Sequence, residues 1–518
     1  MRPKPNWLWK APVSKQTNPV NRKNKSFSKA CCATRGNKGK RLLPETGAAV
    51  RRRRNTTREF VKRTKIEGGA PEVYQWLCRP GAFERLVPPW ESVRTIGRFG
   101  RAPEAGSRTE FEIRVGPFSR RWLAEHTACE PGRMFRDEQI AGPFARWSHT
   151  HTLEPAGGNA CVLEDRVEYE LPLGVLGTLA AGSMRRRMER GFAYRHRVTS
   201  DDVTAHRRWS AAPQRILVTG ATGLLGGALV PYLAAGGHTV VRLARSAPTT
   251  QPWPGMQVET IVWDPASGSP APPALEGFDA VVHLAGESIA AGRWTEGKKQ
   301  RIRSSRVRGS KALSEALARL IRRPRVLVAV SAIGYYGDRG DENLVESSPR
   351  GQGFLAEVCE EWEAAAGAAR AAGIRVVQPR IGVVLSPAGG ALGKMLPPFR
   401  MGAGGIFGSG KQWMSWIALD DVLDILLRAV ADRGLTGPVN AVAPHPVTNA
   451  EWTEELGRLL RRPTQIPMPP FVARAAFGEM ADELLLSSTR VLPERLLAGR
   501  HTFRFLEAQA ALRYLLGK

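Results

Sequence analysis

The chain has 518 residues, 42% of them hydrophobic, and carries 76 Lys+Arg against 48 Asp+Glu, a formal net charge of +28. At ~100–200 residues per domain this length predicts about three domains, and the apolar content excludes a wholly disordered chain. No run approaches the ~18 apolar residues of a transmembrane helix, so no membrane span is expected.

The charge is unevenly placed. Residues 1–65 hold 20 Lys+Arg against Glu45 and Glu59, or +18, whereas the remaining 453 residues hold 56 basic and 46 acidic side chains, or +10. Ten of the sixteen lysines lie at or before Lys65, and the next is Lys298. The segment lacks hydrophobic periodicity, carries the run Arg51 to Arg54, and has no apolar core of a secretory signal. It reads as a basic disordered tail over 1–65, either an inert extension or an arm for nucleic acid or another anionic surface. Free of acids up to Glu45, the tail also resembles an organelle transit peptide. The expected location is cytoplasmic, with organelle targeting by the tail as the alternative. Six cysteines (Cys31, Cys32, Cys78, Cys129, Cys161 and Cys359) form no CxxC pair and read as reduced thiols.

From about Ile66 the pattern becomes globular. Pro71 suits the first turn of a helix carrying Val73, Trp76 and Leu77. Thr109, Phe111, Ile113 and Val115 alternate with Glu110, Glu112 and Arg114, the period-two mark of a half-buried strand, and Cys161 to Tyr169 alternate less cleanly. Leu176, Ala180, Met184, Met188 and Phe192 recur at fourfold spacing, predicting a long helix whose outer face bears Arg185, Arg186, Arg187 and Arg190. His149 and His151 should share one strand face, with His126 nearby. With no carboxylate or cysteine evident to complete a ligand set, they are expected to line a cavity or a solvated face without binding metal.

The element order of strand, helix, antiparallel strands and long helix, together with Gly142-Pro143-Phe144 and Trp147-Ser148-His149, resembles the START-like superfamily of polyketide-cyclase and lipid-transfer domains (SRPBCC). The resemblance implies a helix-grip α+β domain over 66–207 with an apolar cavity for a hydrophobic small molecule.

The strongest local signal begins at Arg215. The strand-like Ile216 to Thr219 leads into Gly220-Ala221-Thr222-Gly223-Leu224-Leu225-Gly226 and an apolar helix. Gly220 permits a tight turn, Gly223 a close backbone approach to a pyrophosphate, and Gly226 close helix–strand packing, while the helix N-terminus offers N–H groups to phosphate. The candidate cofactor contacts here are Gly220, Thr222, Gly223, Leu224, Leu225 and Gly226. The next strand ends at Arg245-Ser246, where NAD-specific sites carry an acid. A guanidinium there suits a 2′-phosphate, so NADP(H) is expected over NAD(H). Leu284, Ala285, Gly286 and Glu287, at the end of a later strand, complete the expected nicotinamide side.

The glycine fingerprint and His283-Leu284-Ala285-Gly286 resemble the extended short-chain dehydrogenase/reductase superfamily. Gly286-Glu287-Ser288-Ile289, Arg293-Trp294-Thr295, Ser331 to Asp338, Gly382 to Ser386 and Trp416 to Asp421 are similar to one nucleoside-diphosphate-sugar-epimerase-like family within it. Gly478 to Asp482 and Arg490 to Leu496 match that family's C-terminal domain of unknown function. The resemblance implies a doubly wound α/β Rossmann domain over 214–462 and a small helical cap over 463–515. It further implies an epimerase or oxidoreductase acting on a small molecule, with Arg380 and Asp421 at matched positions and Arg380 as a further cofactor contact; an ion pair holding the loops is the alternative for both.

The superfamily's usual Tyr-x-x-x-Lys occurs here only as Tyr514 to Lys518, at the extreme C-terminus, and Phe354 stands about where the tyrosine belongs. Ser331 and Tyr335 are therefore the candidate catalytic residues, with Tyr336 beside them, Arg339 as a charge that could stabilise a tyrosinate, and Glu287, Arg293 and Lys298 toward the substrate. A catalytically silent NADP(H)-binding regulator or scaffold is the alternative. Substrate, cavity occupant and oligomeric state are not specified by these residues.

Overall fold

The computed structural model describes residues 57–115, 118–172, 177, 180–209, 212–247, 252–264, 267, 273–290 and 292–518. Most of the basic tail, residues 1–56, lies outside them. From Arg58 the chain is already a strand, β1 (Arg58–Ile66), which buries Phe60 and Ile66 and pairs along its whole length with β7 (Cys161–Glu170). The globular fold thus takes in residues that charge alone assigned to the tail, because Lys62, Arg63 and Lys65 occupy outward or partly exposed positions of this edge strand.

Between these strands run α1 (Ala70–Cys78), α2 (Ala82–Leu86), β2 (Val93–Phe99), β3 (Arg108–Val115), β4 (Phe118–Glu130), β5 (Met134–Ala141) and β6 (Arg146–Pro155). Pro71 sits in the first turn of α1, where its missing N–H costs nothing. The seven strands form one antiparallel sheet in the order β1-β7-β6-β5-β4-β3-β2. Its concave side grips α3 (Ala181–Trp209), a 29-residue helix. Met188 and Phe192 lie on the buried face as the fourfold spacing predicts; Leu176 lies outside the described residues. The helix continues well past Phe192 because Val198, Thr199, Asp202, Val203 and His206 extend the same inward face. On the outer face Arg185 pairs with Glu189, whereas Arg187, expected on that face, pairs with Glu91 where both border the cavity.

The second half starts with β8 (Arg215–Thr219), α4 (Leu224–Ala235), β9 (Thr239–Ala244), β10 (Glu259–Val262) and β11 (Ala280–His283). It continues through α5 (Glu296–Ala318), β12 (Val326–Ala329), β13 (Ser331–Ala332), β14 (Asn343–Leu344), α6 (Phe354–Ala364), α7 (Gly367–Ala371), β15 (Arg375–Ile381) and β16 (Val383–Ser386). Next come α8 (Gly390–Arg400), β17 (Trp413–Met414), β18 (Trp416–Ala418), α9 (Leu419–Ala431), β19 (Gly437–Ala441), β20 (Val447–Thr448) and α10 (Asn449–Leu460). The cap contributes α11 (Pro470–Phe477), α12 (Glu479–Ala481), β21 (Arg490–Val491), α13 (Glu494–Ala498) and α14 (Ala508–Leu516).

The main sheet runs β10-β9-β8-β11-β12-β15, with β13 and β19 also paired to β15, and every pairing is parallel. Its central strands read as unbroken apolar runs (Ile216, Leu217, Val218; Val281, Val282) because helices cover both faces. Strand order reverses between β8 and β11. In a doubly wound sheet the crevice outside the carboxyl ends of those two strands is the ligand position.

Asn55–Lys518 is one compact unit, and a buried charge cluster joins its halves. Arg85 of α2 makes two hydrogen bonds to Asp202 of α3, at 2.8 and 2.9 Å, and pairs with Asp420 at 2.8 Å. Arg504 donates to Asp202 at 2.9 Å and to Asp424 at 2.6 and 2.7 Å. Tyr232 of α4 donates to Asp424 at 2.7 Å. Asp421, another matched family position, accepts the Arg504 backbone N–H, and burial holds its carboxyl well above the usual range. It belongs to this seam.

Candidate active site and ligand cavity

The glycine loop occupies the β8–β11 switch point. Gly220 has φ +65°, a left-handed conformation, and a Cβ there would stand 2.8 Å from the Ala285 nitrogen. A Cβ on Gly226 would collide with the Gly220 carbonyl, so helix α4 packs on the loop only because Gly226 has none. Gly223 differs. It caps α4, it is exposed, and a Cβ would meet nothing nearer than the Gly220 oxygen at 3.4 Å. Gly220 thus makes the turn and Gly226 the close packing, and Gly223 leaves its flank of the loop uncrowded. The first N–H groups of α4 have no partner within the helix and lie at this mouth.

Across the crevice the backbone N–H groups of Leu284 and Ala285 donate to Thr219 Oγ1 at 3.1 and 3.2 Å. Thr219 in turn meets His283 Nδ1 at 2.7 Å, and His283 Nε2 meets Ser310 at 2.9 Å. Burial lowers the His283 pKa to about 4, so the ring is neutral and acts as an internal strut. Thr222, Gly286, Arg245 and Ser246 are exposed, and Leu224, Leu225, Leu284, Ala285 and Glu287 are half-buried around the opening. Glu287 pairs with the buried Lys298 at 2.6 Å, which holds its carboxyl below the ordinary value, with Arg301 and Arg245 adding smaller contributions. Arg293 is exposed beside Gly478 of the cap.

Two expectations need correction. Arg380 does not stand free for a cofactor. It is buried, its guanidinium makes two hydrogen bonds to Glu363 at 2.8 and 2.9 Å, and it donates to the Tyr336 hydroxyl at 2.9 Å. Its guanidinium carbon also lies 3.5 Å from the Tyr335 ring centroid. The reason is positional: Arg380 points inward from β15, a central strand, where only a paired charge is tolerated. Arg339 makes two hydrogen bonds to Glu342, at 2.9 and 2.7 Å, and another to the Pro349 carbonyl, so it is an ordinary loop clamp.

The adjacent tyrosines are separated by burial. Tyr336 is fully buried, hydrogen-bonded to Asn440 at 2.7 Å, and burial pushes its hydroxyl up to about 12 against the pull of Arg380. Tyr335 is half-buried with its ring on Arg380. Ser331 is buried beside the Cys359 thiol, which burial pushes up to about 12 against the opposing pull of the Ser331 hydroxyl. Phe354 opens α6, where Glu483 of the cap accepts the N–H groups of Phe354 and Leu355 at 3.0 and 3.3 Å. Tyr514, in the misplaced Tyr-x-x-x-Lys, is structural: it donates to Asp420 at 3.1 Å and stacks on Tyr194.

The helix-grip half encloses a cavity of about 1320 Å³ between its sheet and α3. Phe111, Trp122, Phe144, Trp147 and Phe192 supply much of its apolar wall. At one end His149 and His151 of β6 lie with ring centroids 4.0 Å apart, on one face as expected. Asp137 of β5 and Asp165 of β7 flank them, and Asp137 pairs with His149 Nδ1 at 3.4 Å. Contrary to expectation, carboxylates therefore stand beside both rings, carried on the two neighbouring strands. A signal for them existed: Asp165 occupies the inward series Cys161, Leu163, Asp165, Val167, Tyr169, where an acid is out of pattern. His126 lines the cavity with its Nδ1 on Ser107 at 3.1 Å, and burial lowers its pKa.

Comparison with known proteins agrees with this architecture. Residues 66–193 match the polyketide cyclase / dehydrase and lipid transport family, 216–441 the NAD dependent epimerase/dehydratase family, and 468–515 a domain of unknown function. A nucleoside-diphosphate sugar epimerase from Corynebacterium glutamicum is 33% identical, with a TM-score of 0.70 over 88% of this chain and 90% of that one. An epimerase family protein of Mycobacterium bovis is 44% identical over 299 residues, 58% of this chain and 96% of the relative. The human epimerase family protein SDR39U1, solved with NADPH, is 36% identical, with a TM-score of 0.52 over 58% of this chain and 99% of that one. The chain belongs to the NAD dependent epimerase/dehydratase family, with a START-like domain ahead of the epimerase domain and the family's C-terminal domain after it. Among the described residues no helix is long and apolar enough to cross a membrane.

Proposed function

We propose that the protein is an NADP(H)-binding, epimerase-like oxidoreductase for a small molecule, with a hydrophobic-ligand domain at 66–207, a cofactor-binding domain at 214–462 and a cap at 463–515. The observation that carries this reading is the glycine loop at the switch point, open at Gly223 and closed everywhere a side chain would only obstruct packing. A bound nicotinamide dinucleotide would supply hydride transfer. Thr222, Gly223, Leu224 and Leu225 would hold its pyrophosphate, and the exposed Arg245 and Ser246 its 2′-phosphate. The human relative solved with NADPH supports the same preference. Leu284, Ala285, Gly286 and Glu287 would border the nicotinamide side. Of the candidate proton-transfer groups, Tyr335 is the one with an exposed portion, its ring held against the Arg380 guanidinium. Ser331 would bind substrate only after a shift that opens it.

The burial of Tyr336, and the use of Tyr514 as a packing residue, favour a second reading: a cofactor-binding protein without turnover. Titration of the full chain with NADPH and NADH, followed by a substrate screen on the wild type and Tyr335→Phe, separates the two. Saturable NADPH binding with turnover abolished in Tyr335→Phe supports the enzyme. Binding in the absence of any turnover supports the silent form, and absence of NADPH binding removes both.

A further inference from the structure

The buried His–Asp group at one end of the helix-grip cavity sets four potential metal ligands side by side. Three of its atoms, His149 Nε2, His151 Nδ1 and Asp165 Oδ1, are buried and make no hydrogen bond of acceptable geometry. Yet they converge: Asp165 Oδ1 lies 2.6 Å from His151 Nδ1 and 3.4 Å from His149 Nε2. The opposite nitrogens, His149 Nδ1 and His151 Nε2, both face Asp137 Oδ1, at 3.4 and 3.9 Å. Two imidazoles are thus sandwiched between two carboxylates. On each side a single oxygen receives both rings.

We propose that Asp137, His149 and His151 form a binding site for one divalent first-row transition-metal ion, such as Zn²⁺, opening into the helix-grip cavity. One donor atom from each of the three residues lies within 4.8 Å of the others. Donors ~2.0–2.1 Å from a tetrahedral zinc ion stand roughly 3.3 Å apart, so the observed separations need only small inward movements. Two imidazoles and one carboxylate are a donor set that suits zinc and its neighbours better than magnesium or calcium, which prefer oxygen.

The far side of the group has the organisation expected around a metal site. A ligating imidazole normally gives its second N–H to a carboxylate, which fixes tautomer and ring orientation. Asp165 Oδ1 is placed to take that role for both rings at once. Asp165 is itself held: its Oδ2 meets His196 Nε2 at 2.9 Å, and His196 Nδ1 meets Thr64 at 2.8 Å. Arg195, from α3, also faces Asp137 and Asp165 and offsets part of their charge. Asp137, His149 and His151 all line the cavity, so positions not taken by protein face it. Nothing in the pairing of the glycine loop with a dinucleotide bears on this site.

The test uses the full chain, stripped with a chelator and dialysed, then titrated with Zn²⁺ by calorimetry and with Co²⁺ followed by its visible absorption. One saturable equivalent is expected, with a Co²⁺ spectrum of nitrogen and oxygen ligation. Asp137→Asn and the double change His149→Gln, His151→Gln should each remove it. Asp165→Asn, a positioning change, should keep the stoichiometry and weaken affinity about 10–100-fold. Thermal melting of each variant reports whether it folds. Absence of a stoichiometric equivalent in the wild type overturns the proposal whatever the variants do. So does an equivalent that survives unchanged in folded Asp137→Asn.

Discussion

The helix-grip cavity and the switch-point crevice place their polar groups in opposite ways. The crevice is shaped by backbone: Gly220, Gly223 and Gly226 fall within one seven-residue stretch and put no side chain into the turn. The cavity uses side chains from separate elements, with Asp137, His149, Asp165 and His196 on β5, β6, β7 and α3. The doubly wound half fills its interior and exposes its chemistry at strand ends, while the helix-grip half keeps about 1320 Å³ open and buries its chemistry within it. A backbone site is robust to everything except added bulk. A side-chain site depends on every partner that holds its charges.

This contrast can be broken most severely by acid. Burial lowers His283 to about 4, and His206 and His501 each to about 3, against an ordinary value near 6.5. Their folded-state values are depressed, so the unfolded chain binds more protons below ~6.5 and stability falls from there toward pH 3–4. At ~1.4 kcal/mol per pKa unit, their combined effect is a substantial part of the ~5–15 kcal/mol that stabilises a domain. Thermal melts between pH 7 and pH 4 should show a steadily falling Tm, and a flat profile would contradict the neutral, buried state of these rings.

Next in size is the seam. Arg504→Ala takes a buried cation from both Asp202 and Asp424, leaving Arg85 on the first and the Tyr232 hydroxyl on the second, which costs about 3–5 kcal/mol. A calorimetric scan should show a large fall in Tm, or the two halves melting separately. An unchanged scan would mean the seam carries no stability.

Gly226→Val should act on one half alone. The added side chain meets the Gly220 carbonyl and should cost ~1–3 kcal/mol of loop geometry, or about 5–150-fold in NADPH affinity, measured by fluorescence titration. The smallest effect is expected from Arg245→Ala. The guanidinium is exposed, so losing it should reduce the preference for NADPH over NADH by about tenfold, leaving NADH affinity nearly unchanged. Equal losses for both cofactors would place Arg245 away from the 2′-phosphate.

The legibility of each region follows from the same contrast. The glycine loop, Arg245 and the strand ends at Leu284 to Glu287 were readable because a local turn–helix motif has a local spacing. The helix-grip order was readable from period-two strands and a fourfold helix. The buried setting of Arg380 and Tyr336 is not legible locally, because their neighbours, Glu363 and Asn440, come from a different helix and strand. The partners of His149 and His151 lie 12 to 16 residues away on adjacent strands, so only the pairing of β5, β6 and β7 brings them together.

The sequence by itself determined the order of helix-grip domain, doubly wound domain and C-terminal domain, and where the glycine-rich turn falls. Hydrophobic period, glycine spacing and charge distribution are properties of neighbouring residues, and those are enough to specify such features. Tertiary structure alone decided that Arg380 is a buried clamp, that Tyr335 and not its neighbour retains an exposed portion, and that two aspartates meet two histidines inside the cavity. Each of these depends on which distant groups share a desolvated space. In such a space a charge persists only where a partner stands beside it.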